Sequence, residues 1–442
     1  MEELGEKPRS KFYVLEPVIK KLPEVAVPKR HITFKEKFMW TALALLLFFV
    51  MSQITLYGGT KQAEDIFGSL KVIFASQTGT LMELGIGPIV TAGIILQLLA
   101  GSKIIGLDLS NHEDRAIFTG AQKLLAILMA IFEGSMLVLA NRYGVGLGTP
   151  AGLFILFQMT IGAVIVIYLD EIVSKYGFGS GVSLFIAGGV AMTVLWQALN
   201  PVAGVVPSFV GNMFKGESVV DAFFAPGAAN MMGLVATVIV FLVAVYAESI
   251  HIEIPLAYGK FGGVRGKYPI KFLYTSNIPV ILAMTVFANL RIVAAVTRAD
   301  WLVYYTSAPS SLAQAAADPM RAGIYTLILL GLSVGFAYLW VQMTGMGPRD
   351  VAKQLDQSGM MIPGYRRDIK VMEQVLSRYI MTAAILGGAF IALLSAGADI
   401  LGAIGSGTGI LLTVGIVYGL YQQMAREQVA EMFPAVRRLM GE

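Results

Sequence analysis

Ten apolar runs alternate with polar connections along the chain. They read as Phe38–Leu56, Thr80–Leu99, Leu124–Ala140, Gly152–Leu169, Val182–Leu199, Met231–Ala247, Phe272–Leu290, Ile324–Met343, Tyr379–Ala396 and Gly409–Met424. About 20 apolar residues cross the hydrocarbon layer as a helix. The pattern therefore predicts an all-α polytopic membrane protein with ten transmembrane helices and both termini on one side. A stretch at 63–74 is too brief and too mixed to span. Ahead of the first run lies a basic arm, residues 1–37, in which Phe12, Tyr13, Val14, Leu15, Val18 and Ile19 could lie on the membrane surface as an amphipathic helix.

The second run differs from the rest. Glu83 is its only ionisable residue, and it carries Gly85, Gly87 and Pro88 near its start. Proline removes a backbone donor and clashes with the carbonyl four residues back. A break at membrane depth is tolerated only beside protein or a water-filled cavity. A short half-helix lining such a space is expected, with a Pro-kinked helix in a tight bundle as the plainer alternative. A weak repeat points the same way. Gly87-Pro88-Ile89-Val90 in span two resembles Ile278-Pro279-Val280-Ile281 in span seven. Five spans separate equivalent points, so the second half would be inverted, an arrangement that marks a central pathway.

Composition narrows the class. Of 442 residues, 56% are hydrophobic and 14% charged, against about 25% charged in soluble domains. The absence of cysteine excludes disulfides, thiolate catalysis and Cys-based metal sites. The first thirty residues lack an apolar core and a small-residue cleavage site, so no removable signal peptide is expected. With the N-terminus placed in the cytosol, the tails and alternate loops hold 26 of the 33 basic residues. The opposite loops hold Lys61, Lys71, Arg142, Lys215, Arg291, Arg298 and Arg321. Both termini are therefore expected to be cytosolic. The largest basic loops follow spans six (Lys260, Arg265, Lys267, Lys271) and eight (Arg349, Lys353, Arg366, Arg367, Lys370, Arg378). Such runs usually only signal topology, but these two could also dock a polyanionic partner such as ribosomal RNA.

Candidate chemistry is sparse. No GxxxxGK[ST] loop or HExxH occurs, and His31, His112 and His251 fall in tails or loops. No catalytic residue, metal ligand or cofactor is expected. Glu133, in span three, should face protein or water, because an acid at the bilayer centre costs about 3 kcal/mol. With Thr91, Gln97 and Asn289 it suggests a polar seam, although each alone reads as a helix–helix hydrogen bond. Aliphatics cluster at the helix starts: Ile86 and Val90, Val182 and Ile186, Ile281 after Pro279, and Leu412 after Gly409. Such spacings are ordinarily packing. Beside glycine or proline, however, they could form a dewetted constriction that blocks ions. A secondary transporter would instead show polar groups at both breaks, and an intramembrane enzyme would show paired acids or a nucleophile.

Thr80–Leu99, with its Gly-x-Gly-x-x-small spacing and Gln97, resembles the signature of the SecY protein-translocation channel family. The resemblance continues through Tyr168–Gly177, Gly266–Phe272 and Gly405–Tyr418, and its details are similar to the archaeal branch. It implies two inverted five-helix halves around a central hourglass pore, and no enzymatic activity. The pore ring would be Ile86, Val90, Val182, Ile186, Ile281 and Leu412. Val182 stands where relatives often carry Ile. The lateral gate would include Thr91, Gln97, Glu133 and Asn289. A plug segment at about 63–76 would include Asp65, Ile66, Phe67, Gly68, Ser69 and Leu70. Partner docking would fall on Lys260, Arg265, Lys267, Arg366 and Arg367.

The domain organisation expected is an arm at 1–37, a first half at 38–200 and a second half at 201–425, with large cytosolic loops at 248–271 and 344–374 and a tail at 426–442. Implied partners are a SecE/gamma subunit, a small beta subunit, the ribosome, signal sequences and nascent polypeptides, and membrane lipids, with no small-molecule substrate. The implied location is the plasma membrane.

Overall fold

The computed structural model describes residues 11–60, 65, 67–68, 70–102, 104–107, 111–216, 218–223, 230–258, 265–361 and 368–432. They divide into two units, one holding residues up to 65 and 76–182, the other 66–75 and 183 onward.

In chain order the helices begin with α1 (Glu16–Ile19), α2 (Phe34–Met51), α3 (Leu70–Ile73), α4 (Gly87–Gly101), α5 (His112–Leu139), α6 (Pro150–Tyr176) and α7 (Gly181–Leu199). Then follow α8 (Val205–Phe214), α9 (Val219–Phe223), α10 (Met231–Ser249), strands β1 (His251–Tyr258) and β2 (Arg265–Lys271), and α11 (Ile278–Thr297). The chain continues through α12 (Asp300–Thr306), α13 (Leu312–Ala317), α14 (Pro319–Met343), α15 (Pro348–Gln357), β3 (Met360–Met361), α16 (Ile369–Ile400) and α17 (Gly407–Met432).

Many starts are written locally in the sequence. Thr33 and Glu36 form a reciprocal capping box at α2. Asn111, Thr149, Asn230, Asp318 and Asp368 each accept an amide of the first turn that follows. Among the described residues, seven helices are long and apolar enough to cross a membrane. The remaining three expected spans fall short for identifiable reasons. α2 carries Lys35, Glu36 and Lys37 in its first turn. α4 has 15 residues, about 22 Å of helix. α17 is diluted by Gly407, Thr408, Gly409, Gln422 and Gln423.

In the first unit α5 packs against α4 and α6, and α2 against α6. Ala92, Ala126 and Ile167 meet in a buried apolar core. The arm is strapped to α6. Glu171 accepts the Val25 N–H at 3.1 Å and lies 2.7 Å from Lys123 Nζ, while Tyr176 Oη donates to the Ala26 carbonyl. The amphipathic stretch expected within the arm is a 3-10 turn at Lys11–Leu15 followed by the single turn of α1.

In the second unit α14 packs on α11 and α16, and α17 on α10 and α16. The all-helical expectation needs one correction. The connection after α10 supplies β1 and β2, and β3 from the connection after α15 completes an antiparallel sheet of order β2-β1-β3, pairing Ile254 with Tyr268 and Leu256 with Gly266. Ile254, Leu256 and Ile270 are buried in one core with Val341, Leu355 and Leu376. Alternation of buried and exposed positions over these short runs gives strands where hydropathy alone reads only a polar loop.

Candidate functional site

The approach to α4 is held by backbone pairing and one buried ion pair. Leu81 N–H donates to the Ile54 carbonyl, and Leu56 N–H to that of Gly79. Glu83 accepts the Gly79 amide and lies 2.7 Å from Arg142 Nη1, with side chains 0% and 1% exposed. Tyr143 lies beside the pair, and burial, aided by the Glu83 charge, holds its phenol above its ordinary range. Gly162 of α6 lets this turn approach closely, since a Cβ there would lie 2.1 Å from the Leu81 carbonyl oxygen. Gly85 follows at φ +53, a conformation that favours glycine.

The helix then starts, instead of breaking. Ile86 is the residue before it, and Pro88 is its second residue, where a first-turn amide has no intrahelical acceptor. Pro279 occupies the same position in α11, so the proline taken as an interruption of span seven lies at the start of a continuous 20-residue helix. The four-residue repeat thus marks two helix starts.

Within the first unit Ile86 is fully buried, Val90 half-buried one turn later, and Val182 half-buried. Val182 N–H donates to Asp170 Oδ1 at 2.9 Å. A Cβ on Gly181 would lie 2.5 Å from Asp170 Cα, so glycine is required at the tight α6–α7 turn. Thr91 Oγ1 donates to Glu133 Oε1 at 3.0 Å, joining α4 to α5. Gln97 is half-buried farther along α4.

Within the second unit Ile186 and Leu412 are buried and Ile281 is half-buried. Asn277 Nδ2 donates to the Leu411 carbonyl at 3.0 Å, tying the start of α11 to α17. A Cβ on Gly415 would lie 2.4 Å from that amide nitrogen. Asn289 donates to Thr285 of its own helix at 2.9 Å. Phe67, Leu70, Ile73 and Phe74 are buried, Gly68 is half-buried and Asp65 is exposed. α3 rests on α11 and α17. Ile66 and Ser69 lie outside the described residues.

Of the expected docking residues, Lys267 stands on β2 and pairs with Glu253 of β1, holding that exposed carboxyl below its ordinary range. Arg265 opens β2. Lys260, Arg366 and Arg367 lie outside the described residues.

Three buried polar constellations were not anticipated: Glu83–Arg142, Tyr325–Asp399, and Arg291. Arg291 lies inside α11 at 2% exposure, not in a loop. Ile292 to Val296 continue the apolar run, a signal that could have placed it there.

Comparison with known proteins accounts for this arrangement. A family model described as SecY matches residues 80–421, and one described as the plug domain of Sec61p matches residues 46–79. The protein translocase subunit SecY of Pyrococcus horikoshii is 43% identical, covering 98% of this chain and 99% of its own. A solved structure described as a protein conducting channel matches with a TM-score of 0.83 at 43% identity, over 96% of this chain and 99% of that one. Sec61 in the canine ribosome-channel complex from the endoplasmic reticulum matches with a TM-score of 0.81 at 41% identity, over the same shares. A family model over residues 80–421 and relatives matched over nearly the full length of both chains leave one conclusion: the chain belongs to the SecY family.

Proposed function

We propose that this chain is the pore-forming subunit of a protein translocation channel, passing unfolded polypeptides across a membrane and releasing apolar segments sideways into lipid. The observation that carries the reading is the match of residues 46–79 to a plug-domain model, with Phe67, Leu70, Ile73 and Phe74 buried, within a chain that matches a protein-conducting channel over nearly its whole length. The protein is a translocase subunit and not an enzyme, so a partner must supply direction.

Ten helices cross the membrane in this proposal: the seven long ones with α2, α4 and α17. The halves are inverted, and both termini face the cytosol of a plasma membrane. Ile86, Val90, Val182, Ile186, Ile281 and Leu412 form the ring. Each stands at or near a helix start or a glycine. Branched aliphatics facing a narrow waist deny ions their hydration shell, whereas an unfolded chain can thread between flexible side chains.

Thr91, Gln97, Glu133 and Asn289 border the lateral gate, supported by the buried Thr91–Glu133 hydrogen bond. A signal sequence that binds the open gate more tightly than the closed one shifts the equilibrium by that difference in affinity. The plug comprises Asp65 to Leu70 and the turn that follows, and leaves the waist on opening. Sufficiently apolar segments partition into the bilayer. A SecE/gamma subunit and a small beta subunit complete the complex. The ribosome docks at the basic connections carrying Lys260, Arg265, Lys267, Arg366 and Arg367, consistent with the resemblance to Sec61 of a ribosome-channel complex.

The test is translocation into proteoliposomes holding this chain and its small subunits. A secretory precursor should become protease-protected, and one lacking its signal sequence should not. Equal protection of both would refute the gated-channel reading.

A further inference from the structure

Arg291 is a buried cation whose fork serves two separate pieces of chain. Its Nη1 donates to the Phe67 carbonyl at 2.6 Å, while its Nε and Nη2 donate to the hydroxyl and carbonyl of Thr306 on α12. Thr306 is itself fixed, since its hydroxyl donates to the Leu302 carbonyl at 2.8 Å. A planar guanidinium can satisfy acceptors in two directions at once, which a lysine ammonium on its flexible stem does less well.

The segment it touches has little structure of its own. α3 is a four-residue turn, far below the length at which a helix holds itself. Phe67, Leu70, Ile73 and Phe74 grip by apolar burial, which is non-directional and tolerates sliding. The bond to the Phe67 carbonyl is directional and fixes the seat. Gly68 turns the backbone beside the guanidinium at φ +54, a conformation that favours glycine, and Nη1 stands 3.6 Å from where its Cβ would be, an ordinary contact distance. Asp399 accepts the Gly407 amide at 2.7 Å and the Tyr325 hydroxyl at 3.2 Å, at the junction of α16 and α17. These two bonds tie α14 and α16 to α17, one of the two helices on which α3 rests.

We propose that Arg291 is a positioning residue for gating, whose guanidinium latches the plug at the Phe67 carbonyl in its closed seat. This rests on reading Phe67–Ala75 as the plug. A charge-assisted hydrogen bond of this kind biases the seated state by roughly tenfold or more.

The test uses the cysteine-free chain in its reconstituted complex. Ala75 is buried, so Ala75→Cys should react with a bulky maleimide only when the segment is unseated. Arg291→Met should speed that labelling about tenfold and raise the resting ion conductance. Thr306→Val, which spares the Phe67 contact, should change labelling by less than about twofold. Unchanged labelling and conductance in folded Arg291→Met overturn the latch. Where Arg291→Met does not fold, Arg291→Gln takes its place. Failure of both to fold also overturns the latch, by making Arg291 a brace of α11 and α12. A second pair separates this from the plug reading. A Cβ on Gly189 would lie 3.6 Å from Ala75 Cβ, within disulfide range. Oxidised A75C/G189C should block translocation. Translocation at the parent rate would sink the plug reading and the latch with it, whereas a block combined with unchanged Arg291→Met labelling sinks the latch alone.

Discussion

Replacing Arg142 by methionine removes the cation from the Glu83 pair and leaves the carboxylate in place. The pair is 2.7 Å long with side chains 1% and 0% exposed, so solvent screening gives almost no discount. Breaking a buried pair on one side costs about 3–5 kcal/mol, because the remaining charge stays desolvated. Replacing both partners, E83Q/R142M, removes both charges and leaves an amide oxygen to accept the Gly79 N–H. That variant should lose only about 1–2 kcal/mol. The double variant is thus expected to be more stable than R142M alone, a non-additivity of at least about 1 kcal/mol. Denaturant titration of the detergent-solubilised chain, followed by fluorescence of its four tryptophans, measures this. Because Glu83 lies three residues before Ile86, R142M should also leak ions. R142M within about 1 kcal/mol of the parent, or a double variant no more stable than the single one, would refute the pair as the brace of this turn.

Three further outcomes are expected. Thr91→Val and Glu133→Leu should each shift the gate equilibrium, read by cysteine crosslinking between α4 and α11, and their effects should couple by about 0.6 kcal/mol, the usual size for hydrogen bonds in membranes. Gly162→Ala should destabilise the first unit by about 1–3 kcal/mol in the same denaturant assay, because its methyl would meet the Leu81 carbonyl oxygen at 2.1 Å. Ile86→Asn and Ile281→Asn should raise the resting conductance of reconstituted channels and admit precursors with weak signal sequences.

What the sequence made legible follows from periodicity and local chemistry. Apolar runs located the long helices, and Pro88 with its neighbouring glycines located the short one. The same signal misread Pro279, because a proline in the first turn and a proline in the middle of a span look alike until the helix start is known. Phe272 to Asn277 are apolar or neutral enough to have been joined to span seven, yet they form the turn before α11. Arg291 was assigned to a loop because a single charge ended the run. Its stabilising acceptors at Phe67 and Thr306 lie 224 and 15 residues away and are invisible to local pattern. The Glu83–Arg142 pair joins residues 59 apart for the same reason. The sheet was missed because its burial depends on α14, α15 and α16, which cover Ile254, Leu256 and Ile270.

The central claim is that one polypeptide passes both Ile86 and Ile281. The direct measurement is disulfide crosslinking of a stalled precursor carrying one cysteine to I86C or I281C, in the otherwise cysteine-free chain. Leu242→Cys and Leu386→Cys, at 60% and 53% exposure, serve as lipid-facing references. The account predicts strong crosslinks to 86 and to 281 from the same precursor position, and weak ones to 242 and 386. Crosslinks to 86 and 281 no stronger than those to 242 and 386 would contradict it.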